Sequence, residues 1–231
     1  MADKINKLKR DFIFNILGTT DYFLPFLDQG QVISGYENLS MADCLVFTGG
    51  EDVSPALYGE ERIPKVPSTN DDRDKRELAA YRYALTNGIP MVGICRGAQF
   101  LNVMNGGKLI QHVNGHGVDH RIRIPASSRF EMHEFNVTST HHQMMVPALK
   151  RHHQMLGYSE DVATYMEGIP FVEYAAMSEQ YSSGKMKAKE IEVLWYETSG
   201  SLCVQYHPER MNKAESGYKY FQHLLERFIV Q

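Results

Sequence analysis

The chain has 231 residues, of which 43% are hydrophobic and 23% charged, and its formal net charge at pH 7 is −4. These values are typical of a globular protein that can bury a substantial core. A slightly acidic chain lacks the clustered Lys and Arg that nucleic acids and anionic membranes attract, so we expect no nucleic-acid partner and no membrane partner.

The N-terminal residues, the hydropathy and the cysteines together predict the cellular compartment of the protein. The first ten residues are rich in charged side chains, and the apolar stretch at 12–17 is too short for the core of a signal peptide. No run of about eighteen apolar residues is available to span a bilayer. The three cysteines, Cys44, Cys95 and Cys203, cannot all pair and form no C-x-x-C motif. We therefore predict a cytoplasmic protein.

Apolar runs rich in β-branched and aromatic residues predict strands, at 12–17, 44–48, 89–94, 191–196 and 202–206. Between the second and third runs, an amphipathic pattern predicts a helix over 73–87. Strand, helix and strand in this order form a βαβ unit and hence a parallel sheet. A last helix over 213–229 carries an apolar stripe that suits packing on this sheet.

The middle of the chain, residues 112–190, is less regular, with short strand-like pieces at 121–124 and 134–138. No linker or repeat divides the sequence. We therefore predict a single α/β domain over residues 1–231, with a mostly parallel central sheet.

Residues 90–97 predict a strand that turns sharply into a helix, with a cysteine at the corner. Gly93 and Gly97 flank Cys95 as G-x-C-x-G, the cysteine analogue of the nucleophile elbow of α/β hydrolases. The positive end of the following helix favours a thiolate at such a corner. Cys95 is therefore a candidate nucleophile, although a buried structural thiol fits the same pattern.

A cysteine nucleophile requires a base and an orienting group, and a late segment supplies both. His207 and Glu209 stand two residues apart after a predicted strand, so in an extended chain their side chains leave on the same face. Pro208 favours that extended geometry at His207. An imidazole near the thiol with a carboxylate behind it is the arrangement of a catalytic triad. Alone, His-Pro-Glu is more often a surface turn.

Two glycines follow the predicted strand at 44–48. In parallel sheets ligands bind beyond the carboxyl ends of the strands, where the candidate nucleophile and base are also predicted to lie. Gly49 and Gly50 would let a backbone N–H approach a substrate oxygen, and the N–H of Arg96, which follows the nucleophile, would be a second oxyanion donor. A plain Gly-Gly turn is the alternative for this segment.

Four motifs between residues 43 and 210 resemble those of the class I glutamine amidotransferase superfamily, in the order of that family. They are Gly49-Gly-Glu-Asp-Val-Ser-Pro-Ala-Leu-Tyr-Gly-Glu60, Gly93-Ile-Cys-Arg-Gly-Ala-Gln99 with Leu101-Asn-Val and Gly106-Gly, Thr140-His-His-Gln143, and Gln205-Tyr-His-Pro-Glu209. More narrowly, the chain is similar to the free-standing γ-glutamyl hydrolases typified by γ-glutamyl-γ-aminobutyrate hydrolase.

This resemblance implies a flavodoxin-like three-layer sandwich and a triad of Cys95, His207 and Glu209 that cleaves a γ-glutamyl amide through a thioester. Cys95 would attack the δ-carbonyl, His207 would pass its proton to the leaving amine, and Glu209 would hold the imidazole. The ligand would be a small molecule, either glutamine or a γ-glutamyl amide. We expect no cofactor.

The resemblance also assigns residues around the triad. The N–H groups of Gly50 and Arg96 would bind the oxyanion, and Gly49, Gln99 and His142 would line the substrate pocket.

Two stretches depart from the family pattern. Residues 17–43 must hold both a helix and any second strand, which leaves room for the loss of one element of the sheet. Residues 150–184 match no motif of the family, and their position suggests a wall opposite Cys95 that sets the leaving-group specificity.

Other candidates carry weaker signals. His112, His116 and His120 fall at four-residue steps, which on a helix would align three imidazoles for a metal. The glycines and asparagine within 114–117 interrupt such a helix, so no metal site is predicted. The histidines at 141–142 are predicted to line the active site, and a metal role is the less favoured alternative for them.

The charges at 71–76 most simply predict a solvated helix start, with acids at the positive end of the helix. A similar Asp-Arg-Asp segment follows the Gly-Gly loop in γ-glutamyl hydrolases, which would also bring Arg73 near the site. Cys44 and Cys203 lie inside apolar runs and are predicted to be buried, inert thiols.

Three functions follow from these residues. The favoured one is a hydrolase that releases glutamate from a γ-glutamyl amide. The second is a glutaminase subunit that delivers ammonia to a synthetase on another chain, and the third is a catalytically silent binding module. The sequence leaves open whether the protein is a homodimer.

Overall fold

A computed structural model describes residues 12–66, 69–160, 162–181 and 189–230. Its strands are β1 (Ile13–Leu17), β2 (Gln31–Ser34), β3 (Cys44–Phe47), β4 (Met91–Ile94), β5 (Lys108–Ile110), β6 (His112–Val113), β7 (His120–Arg123), β8 (Glu134–Val137), β9 (Met144–Val146), β10 (Gln154–Ser159), β11 (Met166–Glu167), β12 (Glu190–Tyr196) and β13 (Ser201–Val204). Its α-helices are α1 (Leu24–Leu27), α2 (Asp71–Asn87), α3 (Arg96–Met104), α4 (Phe171–Tyr181) and α5 (Ser216–Phe228). The prediction about a signal peptide concerns residues 1–10, which lie outside the described residues.

The strands that carry the predicted motifs are parallel neighbours within a sheet that has eleven strands among the described residues. β2, β1, β3, β4 and β13 lie side by side in this order, and each adjacent pair is parallel. The register sets Phe47 beside Gly93 and Ile94 beside Val204. These strands therefore end at the same edge, where the loops after β3, β4 and β13 meet.

Beyond β13 the sheet continues through antiparallel strands. β12 pairs with β13, β10 with β12, β7 with β10 and β8 with β7. β9 joins β12 to β5, and β6 and β11 form a separate two-stranded sheet. The strand-like pieces predicted in the middle of the chain correspond to β7 and β8. The predicted α/β architecture around parallel central strands is confirmed.

Side chains of the central strands alternate between two apolar layers. In β3, Leu45 and Phe47 belong to the core that α2 and α3 cover, whereas Cys44 and Val46 belong to the core on the opposite face, together with Phe221 of α5. Because helices cover both faces, the central strands are apolar throughout their length.

The stretch at 17–43 loses no strand of the sheet. β2 pairs in parallel with β1, and the element that is shortened is the helix, since α1 has only four residues. Pro25 lies in the first turn of α1, where its fixed φ suits a helix start. The short connection therefore still returns the chain to the edge of the sheet.

Candidate active site

Cys95 occupies the turn between β4 and α3 in a conformation that L-residues rarely adopt. Its φ is 54° and its ψ is −112°, and its N–H donates a hydrogen bond of 2.8 Å to the Val204 carbonyl of β13. A Cβ at Gly93 would collide with the Gly97 carbonyl, and one at Gly97 with the Phe47 carbonyl, so the turn closes only with glycine at both positions. The packed strand and helix hold this strain and leave the thiol half-buried at the sheet edge.

His207 lies beside Cys95 and contacts three side chains. Its Nδ1 is 2.6 Å from Glu209 Oε1, its Nε2 is 2.9 Å from Thr140 Oγ1, and the imidazole is hydrogen-bonded to Cys95. Burial alone would lower the pKa of His207, but the bonds to Cys95 and Glu209 outweigh it and raise the pKa to about 9. A protonated ring is therefore favoured next to the thiol at neutral pH.

The path from His207 to Glu209 differs from the predicted one. His207 has φ −108° and ψ 81°, and a 3-10 turn then spans Pro208–Arg210. The extended geometry thus ends at His207, and the carboxylate reaches Nδ1 because the turn folds it back. The Glu209 side chain is only 3% exposed, so little water competes for this hydrogen bond.

Arg73 and Tyr22 hold the loop that follows β3. Arg73 Nη2 donates to the carbonyls of Thr48 at 2.8 Å and Gly49 at 2.9 Å, and the Gly49 N–H bonds to the Tyr22 hydroxyl. Gly50 has φ 141°, and a Cβ there would collide with the Arg73 guanidinium. Among the described residues no acceptor takes the Gly50 N–H. This donor is therefore open at the edge where the nucleophile candidate lies.

Arg96 contributes both its backbone and its side chain. It is the first residue of α3, where backbone N–H groups lack a partner within the helix. Its side chain is buried, forms ion pairs with Asp74 and Glu77, and donates from Nε to the Glu51 carbonyl at 3.1 Å. Burial lowers the pKa of this guanidinium to about 10. Arg73 shares Glu77 at 2.9 Å, so one buried network anchors the Gly-Gly loop.

The prediction of a solvated helix start is therefore wrong for Asp74, which is buried, and holds for the exposed Asp71 and Asp72. Asp74 and Glu77 are three residues apart and share one face of α2. That spacing is the signal that could have identified an inward-facing acidic pair. The expected approach of Arg73 to the site is confirmed by its bonds to the Gly-Gly loop.

Gln99 is buried behind Cys95 and supports the segment that contains His142. Its side-chain amide donates to the Gln143 carbonyl at 3.2 Å, and its N–H donates to the Cys95 carbonyl at 3.1 Å. His142 is half-buried, and its Nε2 lies 3.0 Å from Asp52 Oδ1. That hydrogen bond raises the pKa of His142 against the opposing effect of burial.

The sequence motifs predict no contact of Thr140 or Tyr22 with the candidate triad. Thr140 begins the T-H-H-Q motif, and its hydroxyl contacts Nε2 of His207, the ring nitrogen that Glu209 does not hold. Burial, together with the charges of Glu209 and Cys95, raises the pKa of Tyr22 well above its ordinary value. Tyr22 has no local signal in the sequence, because it comes from the first crossover and meets the loop only in the folded chain.

The unmatched segment at 150–184 contributes a strand to the sheet and a contact near His142. β10 pairs with β12, while Tyr165 lies with its ring 6.2 Å from that of His112, which in turn lies 5.6 Å from the His142 ring. Residues 161 and 182–184 lie outside the described residues.

The remaining two cysteines are buried as predicted. Burial raises the pKa of Cys203, and burial with the nearby Asp43 charge raises that of Cys44. These thiols are unsuited to nucleophilic chemistry. Within the described part of the chain, none of the helices has the length and apolar character needed to cross a membrane.

Comparison with known proteins relates this site to a family. The Peptidase C26 family model matches residues 8–209. The glutamine amidotransferase-like protein YvdE of Lactococcus lactis subsp. lactis is 43% identical over 114 residues, which are 48% of this chain and 47% of that protein. Rv2859c of Mycobacterium tuberculosis, which is also described as a glutamine amidotransferase, is 35% identical over 177 residues. These residues are 74% of this chain and 52% of that protein. The chain spans about half the length of these relatives.

Solved structures share the fold at low sequence identity. A protein from Thermoplasma acidophilum described as one of the subunits of a GMP synthase superposes with a TM-score of 0.61 at 13% identity, covering 94% of this chain and 94% of that chain. The predicted flavodoxin-like class of fold is thereby confirmed.

Proposed function

The chain belongs to the Peptidase C26 family, within the class I glutamine amidotransferase superfamily, and from this premise we propose that it hydrolyses a γ-glutamyl amide through a thioester on Cys95. The observation that supports this most directly is the contact of the half-buried Cys95 with His207, whose other ring nitrogen bonds Glu209. We further assign it to the free-standing γ-glutamyl hydrolases of the γ-glutamyl-γ-aminobutyrate hydrolase type, on the four sequence motifs.

In the first half-reaction the Cys95 sulfur attacks the δ-carbonyl carbon of the γ-glutamyl group, and its proton resides on His207. The carbonyl oxygen becomes an oxyanion that accepts hydrogen bonds from the N–H groups of Gly50 and Arg96. When the tetrahedral intermediate collapses, the C–N bond breaks and His207 Nε2 gives its proton to the leaving amine. The product is a γ-glutamyl thioester and a free amine.

In the second half-reaction water takes the place of the amine. His207 accepts a proton from the water as its oxygen attacks the thioester carbonyl, and collapse breaks the C–S bond. The proton returns to the sulfur and glutamate is released. Throughout, Glu209 keeps Nδ1 protonated and the ring oriented, while the Thr140 hydroxyl, 2.9 Å from Nε2, restricts the rotation of the ring.

The glutamyl group also presents an α-ammonium and an α-carboxylate. Asp52 Oδ1 is engaged by His142, but its Oδ2 is buried and has no hydrogen-bond partner among the described residues. A buried carboxylate oxygen in this state favours a cationic ligand. We assign the α-ammonium to Asp52, and Gly49, Gln99 and His142 to the walls of the glutamyl pocket.

The triad is tested by Cys95→Ala, with Cys203→Ala as the matched control that removes a buried thiol. Free glutamate is measured after incubation with glutamine and a panel of γ-glutamyl amides. We expect Cys95→Ala to lose at least about 10³-fold in kcat and the control to keep wild-type activity. Activity of Cys95→Ala near the wild-type level would refute the proposal. A glutamine-like electrophile should label Cys95 stoichiometrically, and failure to do so would favour a binding module.

A glutaminase that supplies a synthetase is the second candidate, favoured by the description of the Thermoplasma structural relative as part of a GMP synthase. The two functions differ in substrate and in dependence on a partner. Rapid cleavage of a γ-glutamyl secondary amide by the chain alone supports the hydrolase. Glutamine turnover that occurs only after a second protein is added supports ammonia delivery.

A further inference from the structure

A second cluster of titratable side chains lies outside the proposed active site. Three histidines and a glutamate come together there: His116, His120 and His141, with Glu192 of β12. All four are buried, and their potential ligand atoms lie within 4.8 Å of one another. We propose that this cluster binds one transition-metal ion of the Zn²⁺ class, through His116 Nδ1, His120 Nε2, His141 Nε2 and the Glu192 carboxylate.

The distances fit a four-coordinate ion. Glu192 Oε1 lies 3.1 Å from His116 Nδ1, 2.8 Å from His120 Nε2 and 3.5 Å from His141 Nε2. Zinc–ligand bonds of about 2.0–2.1 Å in a tetrahedral site separate neighbouring ligand atoms by about 3.3–3.4 Å. The three separations from Glu192 Oε1 lie on both sides of this value and the four ligand atoms all lie within 4.8 Å of one another, so side-chain movements alone would bring them around a common centre.

The outer nitrogen of each imidazole is already held. His120 Nδ1 is 3.1 Å from the Val118 carbonyl and His141 Nδ1 is 2.9 Å from the Gln143 carbonyl. A carbonyl only accepts, so both Nδ1 atoms carry the proton, and in the neutral rings the Nε2 lone pairs face the cluster. Outer hydrogen bonds of this kind fix the tautomer of metal-binding histidines.

The third imidazole is held by a carboxylate in the same way. His116 Nε2 is 3.1 Å from Glu190 Oε2. Glu190 is in turn fixed by the backbone N–H groups of Val162 at 3.2 Å and Ala163 at 3.1 Å and by the Ser159 hydroxyl at 3.2 Å. Glu190 therefore serves as an outer partner that leaves His116 Nδ1 for the centre.

The inner atoms, by contrast, have only one another as partners. His116 Nδ1 and His141 Nε2 face Glu192 Oε1 at 3.1 and 3.5 Å without well-aligned hydrogen bonds, and Glu192 Oε2 is buried with no hydrogen-bond partner among the described residues. Buried polar atoms in proteins are nearly always satisfied, and an ion is one explanation when several unsatisfied atoms converge. A divalent cation would satisfy all three, and its charge would balance the two buried carboxylates of Glu190 and Glu192.

The donor set favours the class of ion. Three imidazole nitrogens and one carboxylate oxygen suit Zn²⁺ and neighbouring first-row metals rather than Ca²⁺ or Mg²⁺, which prefer oxygen. Four protein ligands in a buried position leave no open coordination site, which is typical of a structural metal. The site would join three chain segments, and His141 lies between Thr140, which contacts His207, and His142, which contacts Asp52.

The first test uses the full chain and the metals themselves. The protein is unfolded in denaturant that contains a chelator and is then refolded with one equivalent of Zn²⁺ or Co²⁺. After desalting, its metal content is measured by elemental mass spectrometry. We expect one metal per chain, the visible absorption of tetrahedral Co²⁺, and a Tm about 5 to 10 °C above that of protein refolded with chelator. The proposal would be overturned if the refolded protein bound no metal and had the same Tm after refolding with metal and with chelator. Protonated imidazoles would then pair with the buried carboxylates in place of a metal ion.

Two variants locate the site, with a matched control. His120→Ala and Glu192→Gln should lose the stoichiometric metal and the Co²⁺ absorption, whereas His152→Ala, at an exposed histidine, should keep both. Metal retained at full stoichiometry in both cluster variants would overturn the assignment of the ligands. The Co²⁺ spectrum of the wild-type chain decides the coordination even if a variant fails to fold. All these readouts are independent of the proposed hydrolase activity.

Discussion

Replacement of Glu209 by Gln keeps the shape of the side chain and removes its charge. The pKa of His207 is raised from 6.5 to about 9, which corresponds to about 3 kcal/mol in favour of the protonated ring. His207 is buried, so solvent screening takes little from this value. Cys95 and Glu209 share the effect, and if the carboxylate supplies roughly half of it, the variant lowers the pKa of His207 by about 1 unit.

The sign of the effect on activity follows from the mechanism. His207 must carry the proton that the leaving amine receives, so activity is present below the pKa of His207 and is lost as the pH rises through it. The descending limb of the kcat/KM profile should move from about 9 in the wild type to about 8 in Glu209→Gln. The optimum should also fall by about 10²- to 10⁴-fold, because the ring loses its orienting acceptor.

The assay is glutamate release between pH 6 and 10, together with an NMR titration of the His207 ring. Glu197→Gln is the matched control, because the Glu197 side chain is 70% exposed. A descending limb that stays near pH 9 in Glu209→Gln, with an unchanged His207 titration, would refute the electrostatic reasoning.

Three further predictions concern the scaffold of the site. Cys95→Gly should be more stable than Cys95→Ala by about 1 kcal/mol, because the strain at φ 54° costs more than the extra chain entropy of glycine; equal urea midpoints would contradict this. Arg96→Met should lower the free energy of unfolding by about 3–5 kcal/mol, since the buried Asp74 loses its ion-pair partner and Glu77 keeps only Arg73, and a loss below about 1 kcal/mol in urea unfolding would argue against the network. Arg73→Met should lower kcat at least about 10-fold by releasing the Gly-Gly loop, with the exposed Arg82→Met as control, and an unchanged kcat would separate that loop from catalysis.

The parallel order of β3 and β4 could be predicted from the sequence, whereas for the antiparallel half only the positions of β7, β8 and β12 could be predicted and not their pairing. β3, β4 and β13 are continuous apolar runs because helices cover both of their faces. β7 and β8 alternate instead, and β9 has three residues, so the pairing of these strands depends on distant partners rather than on a local pattern. The sequence therefore predicts the parallel strands that carry the motifs more completely than it predicts the antiparallel strands beyond β13.

In the candidate site, local motifs predict the candidate triad and the approach of Arg73, but not the supporting side chains of Tyr22, Asp74 and Glu77. Cys95, His207 and Glu209 each stand in a short recognisable segment. The four-residue spacing of the histidines at 112, 116 and 120 predicts a metal site only on a helix, and no helix forms there. His112 instead belongs to β6 beside His142, while His116 and His120 meet Glu192 from a different part of the chain. A cluster assembled by loops leaves no periodic signal in the sequence.

The buried network gives the two proposed oxyanion donors a common support. The Arg96 N–H lies at the start of α3, where we propose that it binds the oxyanion, while the side chain of Arg96 holds the Glu51 carbonyl of the Gly-Gly loop. Arg73 holds the same loop from α2 and shares Glu77 with Arg96. The separation between the Gly50 and Arg96 donors is therefore set by a charged, buried contact rather than by the flexibility of a glycine loop. Preorganised donors of this kind need little rearrangement when charge develops on the substrate oxygen. The strained Cys95 turn and the buried network therefore act together, because the turn positions the thiol and the network positions the proposed donors.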